Sequence, residues 1–161
     1  MRLVRIAPHP PSRKHWDVLA VPSARGDTVL EKLLEWSGLV GAAIPEQEGT
    51  AKSGADAEQK AARDMIALLR VDVPTNGPRP GTPRSRSLRD QIFEFCFGPR
   101  RGKKLRVTWF YGGPARNRTV ICFATFFKRE ATPRGEIERA SKCRRRYLMA
   151  EASGEIEVAD L

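Results

Sequence analysis

Three apolar runs, separated by short turn-forming links, dominate the chain between residues 88 and 148. Residues 92–97, 105–111 and 119–127 are rich in Val, Ile, Thr, Phe, Trp and Tyr, side chains that suit a pleated surface, and each predicts a β-strand. Gly98-Pro99 closes the first run and Gly112-Gly113-Pro114 the second, where glycine can take positive φ at a turn. Links this short favour antiparallel hairpins, because parallel neighbours need a long crossover. In the second run Leu105, Val107, Trp109 and Tyr111 alternate with Arg106, Thr108 and Phe110, so the two sets face opposite sides of a sheet. The third run is apolar on both faces, which predicts a central strand. A basic helix is expected after it. Pro133 suits its first turn, Glu136 and Glu138 sit at the positive end of its dipole, and Arg144, Arg145 and Arg146 lie toward the negative end. Ile137, Ala140, Tyr147 and Leu148 fall on one stripe that can pack on the sheet.

The first half is less strongly patterned. Residues 1–13 hold Pro8, Pro10 and Pro11 and read as extended or loose, and residues 16–21 predict an opening strand. Thr28 and Glu31 have capping-box spacing beside Leu30, Leu33 and Leu34, and Gly38 stops that helix. A loop rich in small residues spans 38–56. Asp56 and Gln59 then cap a second helix with Ala62, Met65, Ile66 and Leu69 on its apolar face, expected to end before Pro74. Residues 74–87 form a proline-rich basic loop with Arg79, Arg84 and Arg86, either touching phosphate or simply solvated. Together these elements predict an α+β domain over residues 1–150. It would hold a small, mainly antiparallel sheet of 3–4 strands, two N-terminal helices and one C-terminal helix. Residues 151–161 read as an acidic, flexible tail, frayed or folded back on the basic face.

Charge changes the picture most. Residues 79–146 carry nineteen basic side chains against five acidic ones, whereas residues 1–78 are balanced, ten against ten. Such clustering points to a polyanion, nucleic acid before others; a solvated basic surface is the plainer alternative. No apolar run is long enough to cross a membrane, and no apolar leader follows Met1, so a cytoplasmic protein without a membrane partner is expected. Three cysteines without a CxxC pair, and two histidines confined to the N-terminal lead, give no disulfide framework and no metal site. No cofactor is expected.

The order of these segments carries a resemblance. IFEFC at 92–96, LRVTWFY at 105–111, CFATFFKREATP at 122–133 and EIERA at 136–140 resemble the RelE/ParE-like toxins of type II toxin–antitoxin systems, in their phage-derived HigB-like branch. The resemblance implies a RelE-like fold and a metal-independent endoribonuclease acting on messenger RNA at the ribosome, inhibiting translation. Messenger RNA, the ribosome and a cognate antitoxin would be its partners. In such cleavage the RNA's own 2′-OH attacks the adjacent phosphorus, and the protein orients the backbone and stabilises charge on the phosphoryl oxygens. Arginine suits this task because its planar fork donates two hydrogen bonds to one phosphate.

Carried over residue by residue, Arg106 matches the family's strand arginine, and Lys128 and Arg129 match the basic pair closing the last strand. These three are the candidate catalytic residues. In a regular strand Arg129 shares the parity of Phe127 and Thr125, and Lys128 that of Phe126. Arg100, Arg101, Lys103 and Lys104 in the first hairpin loop, and Arg144, Arg145 and Arg146 on the last helix, are candidate RNA-binding residues or solvated charge. The family's second strand arginine falls on Cys96, and no tyrosine follows the basic pair. His9 and His15 are remote in sequence, and Glu94 and Glu136 read as surface or cap residues. Trp109, Phe110 and Tyr111 either stack on bases or fill a core. The alternatives are therefore an inactive toxin-like nucleic-acid binder or phage accessory protein, a gyrase-directed toxin, and a plain basic interaction module.

Overall fold

The aromatic runs form three consecutive antiparallel strands, and the rest of the sheet is built outward from them. The computed structural model describes residues 1–8, 15–39 and 54–160. Its strands are β1 (Arg2–Arg5), β2 (Asp17–Ala20), β3 (Ser85–Ser87), β4 (Phe93–Phe97), β5 (Lys104–Tyr111), β6 (Thr119–Lys128) and β7 (Glu157–Asp160). Its helices are α1 (Val29–Ser37), α2 (Gly54–Ala67), α3 (Val73–Asn76) and α4 (Arg134–Ala152). The strands form one sheet in the order β3-β4-β5-β6-β2-β1-β7. Pairing is antiparallel from β3 to β6 and between β1 and β2, but β2 runs parallel to β6 and β7 parallel to β1.

The expected small, mainly antiparallel sheet of 3–4 strands, with its two N-terminal helices and one C-terminal helix, is thereby corrected to a seven-stranded mixed sheet. The reason is physical. β1, β3 and β7 are three or four residues long and carry charged or hydroxyl side chains, so composition does not mark them. β1 and β7 are held by main-chain bonds to each other across nearly the whole chain, β3 by a short antiparallel pairing with β4, and the parallel β2–β6 pair is closed by a crossover that no local turn signals. Residues 2–5, expected to be extended or loose, are an internal strand. The stretch expected as an acidic tail begins in the last turn of α4 and ends in β7. Most of the 38–56 loop, and His9, lie outside the described residues.

α1 and α2 cover one face of the sheet and α4 the other. The first face buries Phe95, Leu105, Val107 and Trp109 against Leu30, Leu33, Met65 and Leu69. The second buries Phe110 and Ile121 against Ile137, Ala140 and Tyr147. Trp109 is sandwiched between Phe93 and Phe95, at ring-centroid distances of 4.6 and 4.9 Å. Trp109 and Phe110 are fully buried, so neither is a surface for stacking bases. A bulge at Thr108/Trp109 pairs Ala124 with Thr108 and Cys122 with Trp109 and leaves Phe123 as the extra residue of β6. Among the described residues no helix is long and apolar enough to cross a membrane.

The helix termini follow local chemistry. Thr28 Oγ1 accepts from Leu30 N at 3.2 Å, Glu31 accepts from Thr28 N at 2.7 Å, and Gly38 ends α1 in the left-handed region. Burial works against the Glu31 charge, but hydrogen bonds from the Thr28 side chain and backbone outweigh it and hold the carboxyl below its ordinary value. A carboxyl depressed in this way stabilises the fold above its unfolded pKa, and the contribution fades as pH falls through the folded pKa. Glu31→Gln should therefore melt with a shallower acid dependence than wild type, and Thr28→Ala should cost about 1 kcal/mol in urea titration.

The second helix does not end before Pro74. It widens into a π-helical turn at Leu68–Asp72, where Val73 N reaches Leu68 O, and then continues as α3 through Pro74. Widening relieves the clash of the proline ring with the preceding turn.

α4 is tied down where the acidic tail was expected to begin. The nearly buried Glu151 Oε1 accepts from Tyr147 Oη at 2.5 Å and from Gly113 N at 3.0 Å, linking the helix to the β5–β6 turn. A Cβ on Gly113 would lie 2.0 Å from Glu151 Oε2, so a larger residue there would displace the Glu151 carboxylate. Glu151→Ala leaves both donors unpaired and is expected to destabilise by about 1–3 kcal/mol in thermal or urea unfolding.

Candidate nucleic-acid interface

Three chain segments bring cations to one cleft of about 650 Å3 at the turn end of the β4–β5 hairpin. Arg86 and Arg89 come from β3 and its exit, Arg100, Lys104 and Arg106 from the hairpin, and Arg129 from the turn after β6. Among the described residues Glu94 is the one carboxylate of the lining, and Ser87, Leu88, Ala131, Thr132 and Ile137 complete much of the wall. Antiparallel pairing explains the convergence. Arg106 lies opposite Cys96 on β4 and Phe126 on β6, so Glu94, two residues along from Cys96, is its diagonal neighbour on the same face.

At the floor, Arg106 Nη1 donates to Glu94 Oε1 at 2.7 Å and Nη2 to the Glu130 carbonyl at 3.0 Å. Arg86 Nη2 reaches the same Glu94 oxygen at 3.2 Å, and Thr132 Oγ1 donates to Glu94 Oε2. The side chains of Glu94 and Arg106 are 2% and 5% exposed. An ion pair so deeply desolvated persists because its hydrogen bonds are nearly complete. One atom is left over: Arg106 Nε is buried and has no partner. Arg86 differs, with about half its side chain exposed.

The candidate catalytic residues therefore separate. Arg106 is at the cleft floor, but as half of a structural ion pair. Arg129 is exposed and lines the cleft. Regular alternation would place Lys128, not Arg129, on the Arg106 face, since Lys128 pairs with Lys104 and Phe126 with Arg106. The strand ends at Lys128, and the turn that follows folds back so that Arg129 joins Arg106. Lys128 lines a different depression with Pro133, Glu136 and Arg139.

Among the candidate RNA-binding residues, Arg100 and Lys104 line the cleft, whereas Arg101 and Lys103 are exposed on the hairpin loop outside it. Arg144, Arg145 and Arg146 are not brought there. Arg144 is half-buried, Arg145 donates to Ser141 Oγ at 3.2 Å, and Arg146 lines a groove beside α4. In the basic loop, Arg79 pairs with Asp72 and Arg84 lies over the Phe97 ring, 4.5 Å from its centroid, leaving Arg86 as the cleft residue. Glu94, read from the sequence as a surface or cap residue, is buried at the cleft floor, and Arg89 was not singled out by the sequence. The available signal for Glu94 was its place as the lone charge in the alternating run FEFCF.

The thiols are not part of this site's chemistry. All three cysteines are free and buried, and burial pushes Cys143 up to about 11 and Cys122 further.

No family model, no curated protein and no solved structure matches the chain. The functional reading rests on the cleft itself. A concave surface with five exposed or half-exposed cations, Arg86, Arg89, Arg100, Lys104 and Arg129, around the buried Glu94–Arg106 pair is complementary to closely spaced anionic oxygens, as on a phosphodiester backbone.

Proposed function

We propose that the cleft seats the backbone of single-stranded RNA, and that the protein is the toxin of a toxin–antitoxin pair. On this reading it cuts messenger RNA in the cytoplasm without a metal and is restrained by a cognate antitoxin. The observation that carries the reading is the convergence of Arg86, Arg89, Arg100, Lys104, Arg106 and Arg129 around one carboxylate. Cleavage would form a bond from the 2′-oxygen to phosphorus and break the bond to the 5′-oxygen, moving one proton from the first oxygen to the second. The exposed arginines would hold the phosphoryl oxygens, and Glu94 is the carboxylate within the cleft for the 2′-OH proton. General acid–base help of this kind is worth about 10²- to 10⁴-fold in rate.

One observation favours a second reading, a binder that does not cut. Both Glu94 oxygens already accept hydrogen bonds, and Arg106 is engaged with Glu94 and Glu130. Proton transfer through Glu94 requires Arg86 to leave it first. Induced expression in a bacterial host, with mapping of RNA 5′ ends, separates the two. The toxin reading expects growth arrest and new ends within translated frames, both lost in Arg100→Ala/Arg129→Ala. Arrest without new ends would redirect the reading to another target such as gyrase. Unimpeded growth with intact RNA would overturn the toxin reading and leave the binder.

A further inference from the structure

A second basic surface lies on the other flank of α4, apart from the cleft. A groove of about 920 Å3 runs along the helix and shares Arg139 and Lys142 with a smaller depression of about 650 Å3. Its chemistry differs from that of the cleft. Met1, Val21, Pro22, Phe123 and Met149 give it an apolar floor, and Met149 is 73% exposed. Arg2, Lys142 and Arg146 stand along it with one carboxylate, Glu155, and none of these three cations makes an ion pair among the described residues, whereas Arg139 is paired with Glu136.

We infer that this groove docks an acidic peptide segment with aliphatic anchors, presented by a partner protein. The apolar floor rewards burial of branched side chains, and methionine adapts its shape to them. Unpaired cations along the walls favour carboxylates at the rim. A polynucleotide would satisfy the cations but offers no aliphatic group to the floor. The inference does not depend on what the cleft binds.

The test is a titration of the ¹⁵N-labelled full chain, followed by amide chemical shifts. The probe is a short peptide of glutamate and leucine with the leucines at i, i+3 and i+4. Shifts are expected at residues 21–24, at Phe123 and at residues 142–149. Replacing the leucines of the probe by serine should abolish them, and Lys142→Glu/Arg146→Glu should weaken binding at least about tenfold while Arg101→Glu does not. Shifts confined to residues 86–106 and Arg129, or no shifts at millimolar peptide, would overturn the inference. So would oligouridylate displacing the peptide, which would assign the groove to RNA. The same shifts on raising protein concentration alone would assign it to a second copy of the chain.

Discussion

Glu94→Ala is expected to destabilise the protein by about 3–5 kcal/mol, the cost of leaving a buried charge without its partner. The carboxylate neutralises Arg106 at the cleft floor, anchors Thr132 and holds Arg86 from the side. Removing it leaves a guanidinium that is only 5% exposed with one carbonyl to face. Arg106→Ala should cost a similar amount for the converse reason. Replacing both by apolar side chains should cost less than either single change, because no uncompensated charge remains. Urea denaturation of the four proteins measures this. If Glu94→Ala shifts stability by less than about 0.5 kcal/mol, as an ordinary surface substitution would, the pair is not structural. Loss of activity in an Arg106 variant would therefore report folding as much as chemistry, and the cleft is better tested at its exposed cations.

The second large effect concerns those cations. Arg100→Ala/Lys104→Ala/Arg129→Ala should keep the fold, since Arg100 and Arg129 are exposed and Lys104 half-exposed. Affinity for single-stranded RNA should fall on the order of 10²-fold at low salt. The diagnostic is the salt dependence. Each lost phosphate contact flattens the slope of log K against log salt by about 0.7 on single strands, so three should flatten it by about 2. Fluorescence anisotropy from 50 to about 200 mM salt reads the slope directly. An unchanged slope would mean that the cleft does not hold phosphate.

What was legible in the sequence was whatever local chemistry determines. β4, β5 and β6 follow from aromatic and β-branched runs punctuated by Gly98 and by Gly112-Gly113. α1 follows from Thr28, Glu31 and Gly38, and α4 from Pro133 and its apolar stripe. What was not legible was whatever depends on distant partners. Arg2–Arg5 and Glu157–Asp160 carry little hydrophobic signal and become strands by pairing with each other in parallel. Pro74 reads as a helix stop, yet the π-helical turn lets the chain pass through it.

The same division runs through the site. The basic charge was visible, but not which arginines are spent on protein partners. Arg79, Arg84 and Arg106 are engaged with Asp72, Phe97 and Glu94, while Arg129 enters the cleft only because the chain turns after Lys128. Glu94 and Arg106 become neighbours only once the β4–β5 register is known, because they are a diagonal pair and not a facing one.

The most direct test of the cleft is photocrosslinking of single-stranded RNA containing 4-thiouridine, with the attached peptides identified by mass spectrometry. The account predicts crosslinks within residues 84–106 and 128–132, lost in Arg100→Ala/Lys104→Ala/Arg129→Ala. Crosslinks concentrated on residues 139–149 of α4, or undiminished in the triple variant, would contradict it.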